Sequence, residues 1–343
     1  MPVAPPGSAP KNRARERGRR PGLIMQAMST LPHLPASVET CHWGFFDASL
    51  KPALTVASGQ RFTVATVSGG SAVLPPAGFH VPPELLDIHA RLPMAMPGHI
   101  LTGPVAVEGA MPGDVLEVRI IDVQLRQDWG YNVIRPLAGT LPDDFQAYRH
   151  LNIPLDRERG VALLPWGLAL PLHPFFGVMG VAPPPNWGRI STIQPRAHGG
   201  NLDNKELGPG TRLYLPVHAP GALFSCGDGH GAQGDGEVCV TAIETALLGT
   251  FELVLHKRAA GQGLSFPRGE TPTHWITMGT DPDLDRALEM ALRDMIALLG
   301  EHAGLGREDA YTLCSLAVDF RITQSVNGHK GVHGMLPKAL IQR

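Results

Sequence analysis

One punctuation mark recurs along this chain and limits what it can fold into: a Pro-Gly pair set directly before a run of apolar, often β-branched residues. Pro112-Gly113-Asp114 precedes Val115 to Ile121, Pro209-Gly210-Thr211 precedes Arg212 to Val217, and Pro220-Gly221 precedes Ala222 to Ser225. Proline presets φ and glycine supplies positive φ, so each pair reads as a turn feeding a strand. With 40 Gly and 33 Pro in 343 residues and only 17% charged residues, the chain lacks material for long solvated helices. The repetition points to antiparallel sandwiches or barrels.

The bulk properties narrow the partners. A net charge of −2 gives no general attraction to nucleic acid or to an anionic membrane. No apolar run approaches the roughly 20 residues that span a bilayer. The cysteines Cys41, Cys226, Cys239 and Cys314 are scattered, with no Cys-x-x-Cys pair, so a reducing, cytoplasmic setting is expected. Residues 1–35 form a region apart. Lys11, Arg13, Arg15, Arg17, Arg19 and Arg20 stand against the single acid Glu16, giving a local net +5 and leaving −7 for the remainder. Such a segment cannot bury a core and is expected to be disordered, and a true start at Met25 or Met28 would remove most of it. We expect a β-rich catalytic region over 36–270 and an α+β portion over 271–343 packed on it.

The chemistry concentrates in Gly227-Asp228-Gly229-His230-Gly231-Ala232-Gln233-Gly234-Asp235-Gly236-Glu237. In an extended chain, residues i and i+2 share a face, so Asp228 and His230 can aim together, as can Asp235 and Glu237. Carboxylates and an imidazole on so bare a backbone call for a divalent cation or a shared proton between them. The plain alternative is a glycine-rich turn with solvated acids.

Along the rest of the chain, residues 68–100 read as a lid or binding loop, and 126–160 as an excursion between strands. Val238 to Ile243 and Phe251 to Leu255 read as strands. A helix is expected from near Asp281-Pro282 to Gly300, because Leu284, Leu288, Ala291, Met295, Leu298 and Leu299 recur at spacings of three and four. A second helix fits Arg307 to Ala317, and 318–324 alternates like a strand.

Five stretches together carry a resemblance: Thr102 to Ala110 with Pro112-Gly113-Asp114; His173-Pro174-Phe175-Phe176-Gly177; His198-Gly199-Gly200-Asn201-Leu202-Asp203; Leu213 to Val217; and Gly227 to Glu237. In these the chain resembles the acetamidase/formamidase family, from about Thr40 to Pro337. The resemblance implies a hydrolase that releases ammonia from short amides such as formamide or acetamide. It also implies a mainly β fold of sandwich and barrel-like parts with an α+β C-terminal portion, dependence on a divalent metal, and homo-oligomers.

On that basis Asp203, Asp228 and His230 are expected as metal ligands. Zinc comes first for such a nitrogen–oxygen set, and calcium or another harder ion would suit a more oxygen-rich one. Glu108, Asp235 and Glu237 compete for the general acid/base role. Asn201 and Gln233 are candidates for amide recognition, and His173, Phe175 and Phe176 for lining the substrate pocket. His89, His99 and His198 sit in or beside Pro/Gly-rich loops, where histidines are mostly packing residues, although His198 lies in a matching stretch. No Gly-x-Ser-x-Gly elbow is present, which argues against an α/β-hydrolase. The competing class is a non-enzymatic β-sandwich module that binds a small molecule or carbohydrate and holds a structural ion.

Overall fold

The three turn signals fold as the sequence requires. Gly113, Gly210 and Gly221 all take positive φ (93°, 84° and 80°). They feed the strands Val115–Leu125, Thr211–Pro216 and Phe224–His230. The computed structural model describes residues 31–258 and 263–341, so the basic tail expected before residue 31 lies outside the described residues.

Two sheets make the body of the molecule. The larger has nine strands, in the spatial order His33–Leu34, Arg61–Ala65, Leu247–His256, Val115–Leu125, Thr211–Pro216, Arg268–Glu270, His274–Asp281, Lys330–Pro337 and Asp319–Gln324. Leu247–His256 and Val115–Leu125 form its backbone, paired antiparallel from Leu247↔Leu125 to His256↔Val115. The second sheet has six strands: Gly199–Asn201, Phe175–Gly180, Phe224–His230, Ile100–Val107 and Cys41–Trp43 in order, with Leu54–Val56 joined in parallel to Ile100–Val107. Both are open paths among the described residues. They share one apolar core, in which Phe176 and Phe224 of the smaller sheet pack on Phe251 of the larger, with ring centroids 5.4 and 5.6 Å apart. Burying each such ring is worth roughly 1.5–3 kcal/mol.

The excursion expected over 126–160 holds the hairpin of Trp129–Ile134 with Arg149–Asp156, and the four-stranded sheet it opens runs on past 160 through Val161–Leu163 and Ala169–Pro171. The segment 68–100 is not simply a loop, because it holds a helix, Pro83–Arg91, that buries Leu85 and Ile88 against Val67 and Ile100. Proline at its first position suits a helix start, since the missing N–H would be unpaired there anyway.

The C-terminal helices fall close to expectation. The first runs Leu284–Ala303 rather than stopping at Gly300. Asp283 caps it by accepting from the N–H groups of Asp285 and Arg286, and Gly304 at φ 67° ends it in the left-handed region. The second is Arg307–Ala317. The first lies across His274–Asp281 and is clamped by Arg268, which donates to Asp294 and Glu301 on the helix. No helix among the described residues is long and apolar enough to cross a membrane.

A buried histidine ties an edge strand to the strand that bears the site. His42 Nδ1–H donates to Phe45 O (2.7 Å), so its Nε2 accepts from the Ser225 hydroxyl (3.1 Å). The neutral ring is fully used, and burial lowers its pKa to about 4 against the hydrogen bond to Phe45. In the unfolded chain this histidine takes up a proton below about pH 6.5, while in the native state it stays neutral down to about pH 4. Its stabilising contribution is therefore constant above pH 6.5 and lost as pH falls through that window. Replacing His42 by Gln removes this slope. Urea titrations of both proteins should show wild type losing about 1.5 kcal/mol more than the variant between pH 6.5 and 5, and parallel curves would refute the assignment.

Candidate metal and active site

The site is made where the alternation of a strand breaks. In Phe224–His230, Phe224 and Cys226 face the sandwich core. Strict alternation would send Asp228 and His230 there too, but Asp228 takes a left-handed conformation (φ 54°). The core face passes to Gly229, where a Cβ would meet Thr245 O and Leu247. Asp228 and His230 thereby turn outward on one side together, as the glycine-spaced pattern predicts.

Three other acids reach the same point. Asp203 (φ 49°) follows the Gly199–Asn201 strand, and Glu237 (φ 42°) and Glu244 lie in the loop after His230. All four carboxylates and His230 are buried. Asp203, His230 and Glu237 form one group with metal-binding proximity, and Asp228, His230 and Glu244 form another. His230 Nε2 lies 3.3 Å from Asp228 Oδ2 and 3.4 Å from Glu244 Oε1. A left-handed backbone at a residue with a side chain costs about 1–2 kcal/mol, and three of these acids carry it.

The hydrogen bonds orient the imidazole. Gln233 Nε2 donates to Asp203 O (2.7 Å), so its Oε1 faces His230 Nδ1 at 2.9 Å and accepts from it. Nε2 is then the ring nitrogen aimed among the carboxylates. Asn327 Nδ2 donates to Asp203 Oδ2 (2.9 Å) and Ala242 N–H to Glu244 Oε1 (3.0 Å). His230 Nε2, Asp203 Oδ1, Glu237 Oε2 and Glu244 Oε2 are buried without a partner. Gly177, opposite Asp228 on the next strand, keeps the centre clear. A Cβ there would sit 2.6 Å from Asp228 Oδ2, 2.7 Å from His230 Cε1 and 2.8 Å from Asp203 Oδ1. One imidazole nitrogen, several carboxylate oxygens and a space bare of side chain fit a divalent cation.

The electrostatics agree with that reading. Burial, only partly offset by His230, pushes the Asp203 carboxyl up to about 8. Burial and the charge of Asp203 raise Glu237 well above the usual range, and burial raises Glu244. Asp228 goes the other way: burial opposes its charge, but His99, whose Nε2 is 3.7 Å away, and His230 outweigh it. Burial also disfavours charge on His230, yet Glu244 and Asp228 carry its pKa well above 6.5. So many buried acids around one imidazole must share protons or a cation.

The site opens on a cavity of about 790 Å³, with Asp228, Glu237, Glu244, Tyr131, His99 and Asn201 in its wall. Asn201 Nδ2 donates to Ile193 O (3.1 Å), which leaves its buried Oδ1 unpaired.

The structure does not gather every expected residue. Glu108 is exposed in the turn beyond Val107, whereas the cavity touches the far end of that eight-residue strand, at Ile100. Asp235 is exposed and paired with Lys205 at 3.3 Å. Past His230 the chain is a loop, so the i, i+2 rule that would align Asp235 with Glu237 no longer applies. The strand expected over 238–243 is absent for the same reason, with Val240 at φ 80°. Phe176 faces the core and His173 is exposed. Phe175 instead backs the site, its ring edge-on to His230 at 5.0 Å. Gln233 orients His230 and does not line the cavity.

Glu244, Tyr131 and Asn327 escaped the sequence reading, and His99, read there as a packing residue, stands in the cavity wall 3.7 Å from Asp228. For Glu244 the signal was a single acid inside the apolar run Ala242-Ile243-Glu244-Thr245-Ala246-Leu247.

A two-sheet β protein with a buried histidine–carboxylate site at the end of a cavity is thus the class defined by fold and geometry. The Acetamidase/Formamidase family profile matches residues 87–190 and 188–341, and the chain belongs to that family. It is 32% identical over 212 residues to a formamidase of Methylophilus methylotrophus, a match covering 43% of this chain and 49% of that protein. The chain therefore spans about half the length of the curated relatives it matches. Among solved structures, an acetamidase from Bacillus halodurans superposes with a TM-score of 0.77 at 31% identity, covering 90% of this chain and 98% of that one. An acetamidase from Yersinia enterocolitica gives 0.79 at 29% identity, covering 92% and 94%.

Proposed function

We propose that this protein hydrolyses a short linear amide, of the formamide or acetamide kind, to carboxylate and ammonia. The observation that carries the reading is the buried His230 cluster, with its unpartnered donor atoms, at the wall of an open cavity. Relatives named formamidase and acetamidase supply the reaction class. A divalent ion, zinc first, held by Asp228, His230 and Glu244 with Asp203 beside them would lower the pKa of a bound water and polarise the amide carbonyl.

The chain's own groups do the rest. Gln233 holds the His230 ring by Nδ1, with Nε2 facing the carboxylates. Glu237, buried and with its pKa raised by burial and by Asp203, is the carboxyl suited to give a proton to the departing nitrogen. The unpaired Oδ1 of Asn201 suits an amide N–H. Access through a cavity favours this over a closed structural ion site. We also propose a homo-oligomer, supported by the exposed apolar side chains Phe145, Trp166 and Leu168.

Ammonia release over a ladder of amides, with and without chelator and metal re-addition, tests the reading. Chelation should abolish activity and re-addition restore it. Loss of an outer partner of a metal ligand typically weakens binding about 10–100-fold, so His230→Ala should exceed that in metal content measured by emission spectroscopy. Full turnover by rigorously metal-free protein would remove the ion from the reading, and no ammonia from any amide would remove hydrolysis.

A further inference from the structure

The cavity is far larger than the substrate its family name suggests. Allowing about 30 Å³ per heavy atom, the share of a water in the liquid, formamide or acetamide fills on the order of 100 Å³, against about 790 Å³ here. The charges in its wall are sorted. Asp228, Glu237 and Glu244 belong to the buried cluster, with His99 beside Asp228. The remaining charged wall residues among those described are both cations, Arg135 and Lys330.

These two come from separate elements. Arg135 is exposed, one residue past the Trp129–Ile134 strand, and Lys330, half-buried, opens the strand Lys330–Pro337. Neither forms an ion pair among the described residues, while Arg126, Lys205, Arg212, Arg268, Arg321 and Lys338 all do. Their loops are fastened on either side of the Glu237 loop. Thr140 N–H donates to Val238 O (2.8 Å), Ser325 N–H donates to Gly236 O (2.8 Å), and the hydroxyls of Thr140 and Ser325 hydrogen-bond to each other. Both cations thus share the cavity wall with the acidic cluster, on segments tied to the loop that carries Glu237.

We propose that Arg135 and Lys330 select an anionic substrate: an amide whose far end carries a carboxylate, such as the monoamide of a short dicarboxylic acid. This rests on the hydrolytic reading above. The two cations hold the carboxylate at their side of the cavity wall, which leaves the amide end to reach the buried cluster. Arg135 supplies a planar fork that matches a carboxylate, and Lys330 a compact charge. In the reaction the water oxygen bonds to the amide carbon, the C–N bond breaks, and the nitrogen takes a proton and leaves as ammonia, giving the dicarboxylate.

The test compares succinamate with its neutral isostere succinamide, with acetamide as reference. In wild type at low salt, kcat/KM for succinamate should exceed that for succinamide at least ten-fold, the scale of one hydrogen bond to a charged group. The ratio should fall as salt rises. R135Q/K330Q should bring it close to one, mainly through KM, while R135K/K330R should retain most of it. Calorimetric binding of succinate, which cannot react, should weaken at least ten-fold in R135Q/K330Q, with thermal melts checking the fold of each variant. Ammonia from acetamide and succinamide without preference for succinamate overturns the proposal and leaves hydrolysis standing. Ammonia from none of the three overturns hydrolysis, and this proposal with it.

Discussion

Gly177→Ala should silence the protein without unfolding it. Gly177 does not have positive φ, so alanine meets no backbone strain there. What it lacks is room: its Cβ would come within 2.6–2.8 Å of Asp228 Oδ2, His230 Cε1 and Asp203 Oδ1. These are side-chain atoms, and they can move apart by a few tenths of an ångström or more, which spares the fold and spoils the site. Misplacement of reacting groups by about 1 Å costs on the order of 100-fold in rate. We therefore expect kcat/KM for any amide substrate to fall at least that far, with bound metal reduced and the melting temperature within a few degrees of wild type. Ordinary turnover in Gly177→Ala would show that the chemistry takes place elsewhere.

The second large effect is on stability. Gly279→Ala places a Cβ 2.1 Å from Ala287 O and 2.7 Å from Ala291 N. Both are backbone atoms of the helix Leu284–Ala303 and cannot swing aside, so the helix itself must lift. Lifting it disturbs the bond from Thr277 Oγ1 to Ala291 O (2.8 Å) and the Arg268 clamp. It also uncovers Ala287 and Ala291, now fully buried. Overpacking a core usually costs about 1–3 kcal/mol where side chains can adjust. Here the loss should exceed about 3 kcal/mol, a large part of the ~5–15 kcal/mol that holds a typical domain. Urea unfolding reads it as a lower midpoint at unchanged slope, and a change under about 1 kcal/mol would mean that the helix is not seated on Gly279.

What could be read in advance follows from how local each cause is. Turns at Gly113, Gly210 and Gly221, and the helices from Leu284 and Arg307, depend on neighbouring residues, and they were legible. The pairing of Asp228 with His230 was legible because both lie on one strand. Asp235 was misjudged because the strand ends at His230, and nothing in the glycine spacing marks that end. Glu108 shares a strand with the cavity wall but sits at its opposite end, a matter of register and length. His99 reaches the site from an element distant in sequence, Glu244 from the far end of the loop after His230, and Phe176 lost its expected role to a core formed by two sheets. The helix Pro83–Arg91 has only a few apolar residues, too few for its period to stand out in a proline-rich segment.

The left-handed acids carry a consequence for how such a protein can change over generations. At Asp203, Asp228 and Glu237 the backbone adopts a conformation that glycine takes without strain. Each of these positions is thus one where the fold would gain by losing the very side chain that the chemistry requires. Selection for stability alone would erode the site first, leaving the two sheets sound and the cavity inert. A descendant of this chain that kept its fold while carrying glycine at these positions would be recognisable, from three residues, as one that had given up the site.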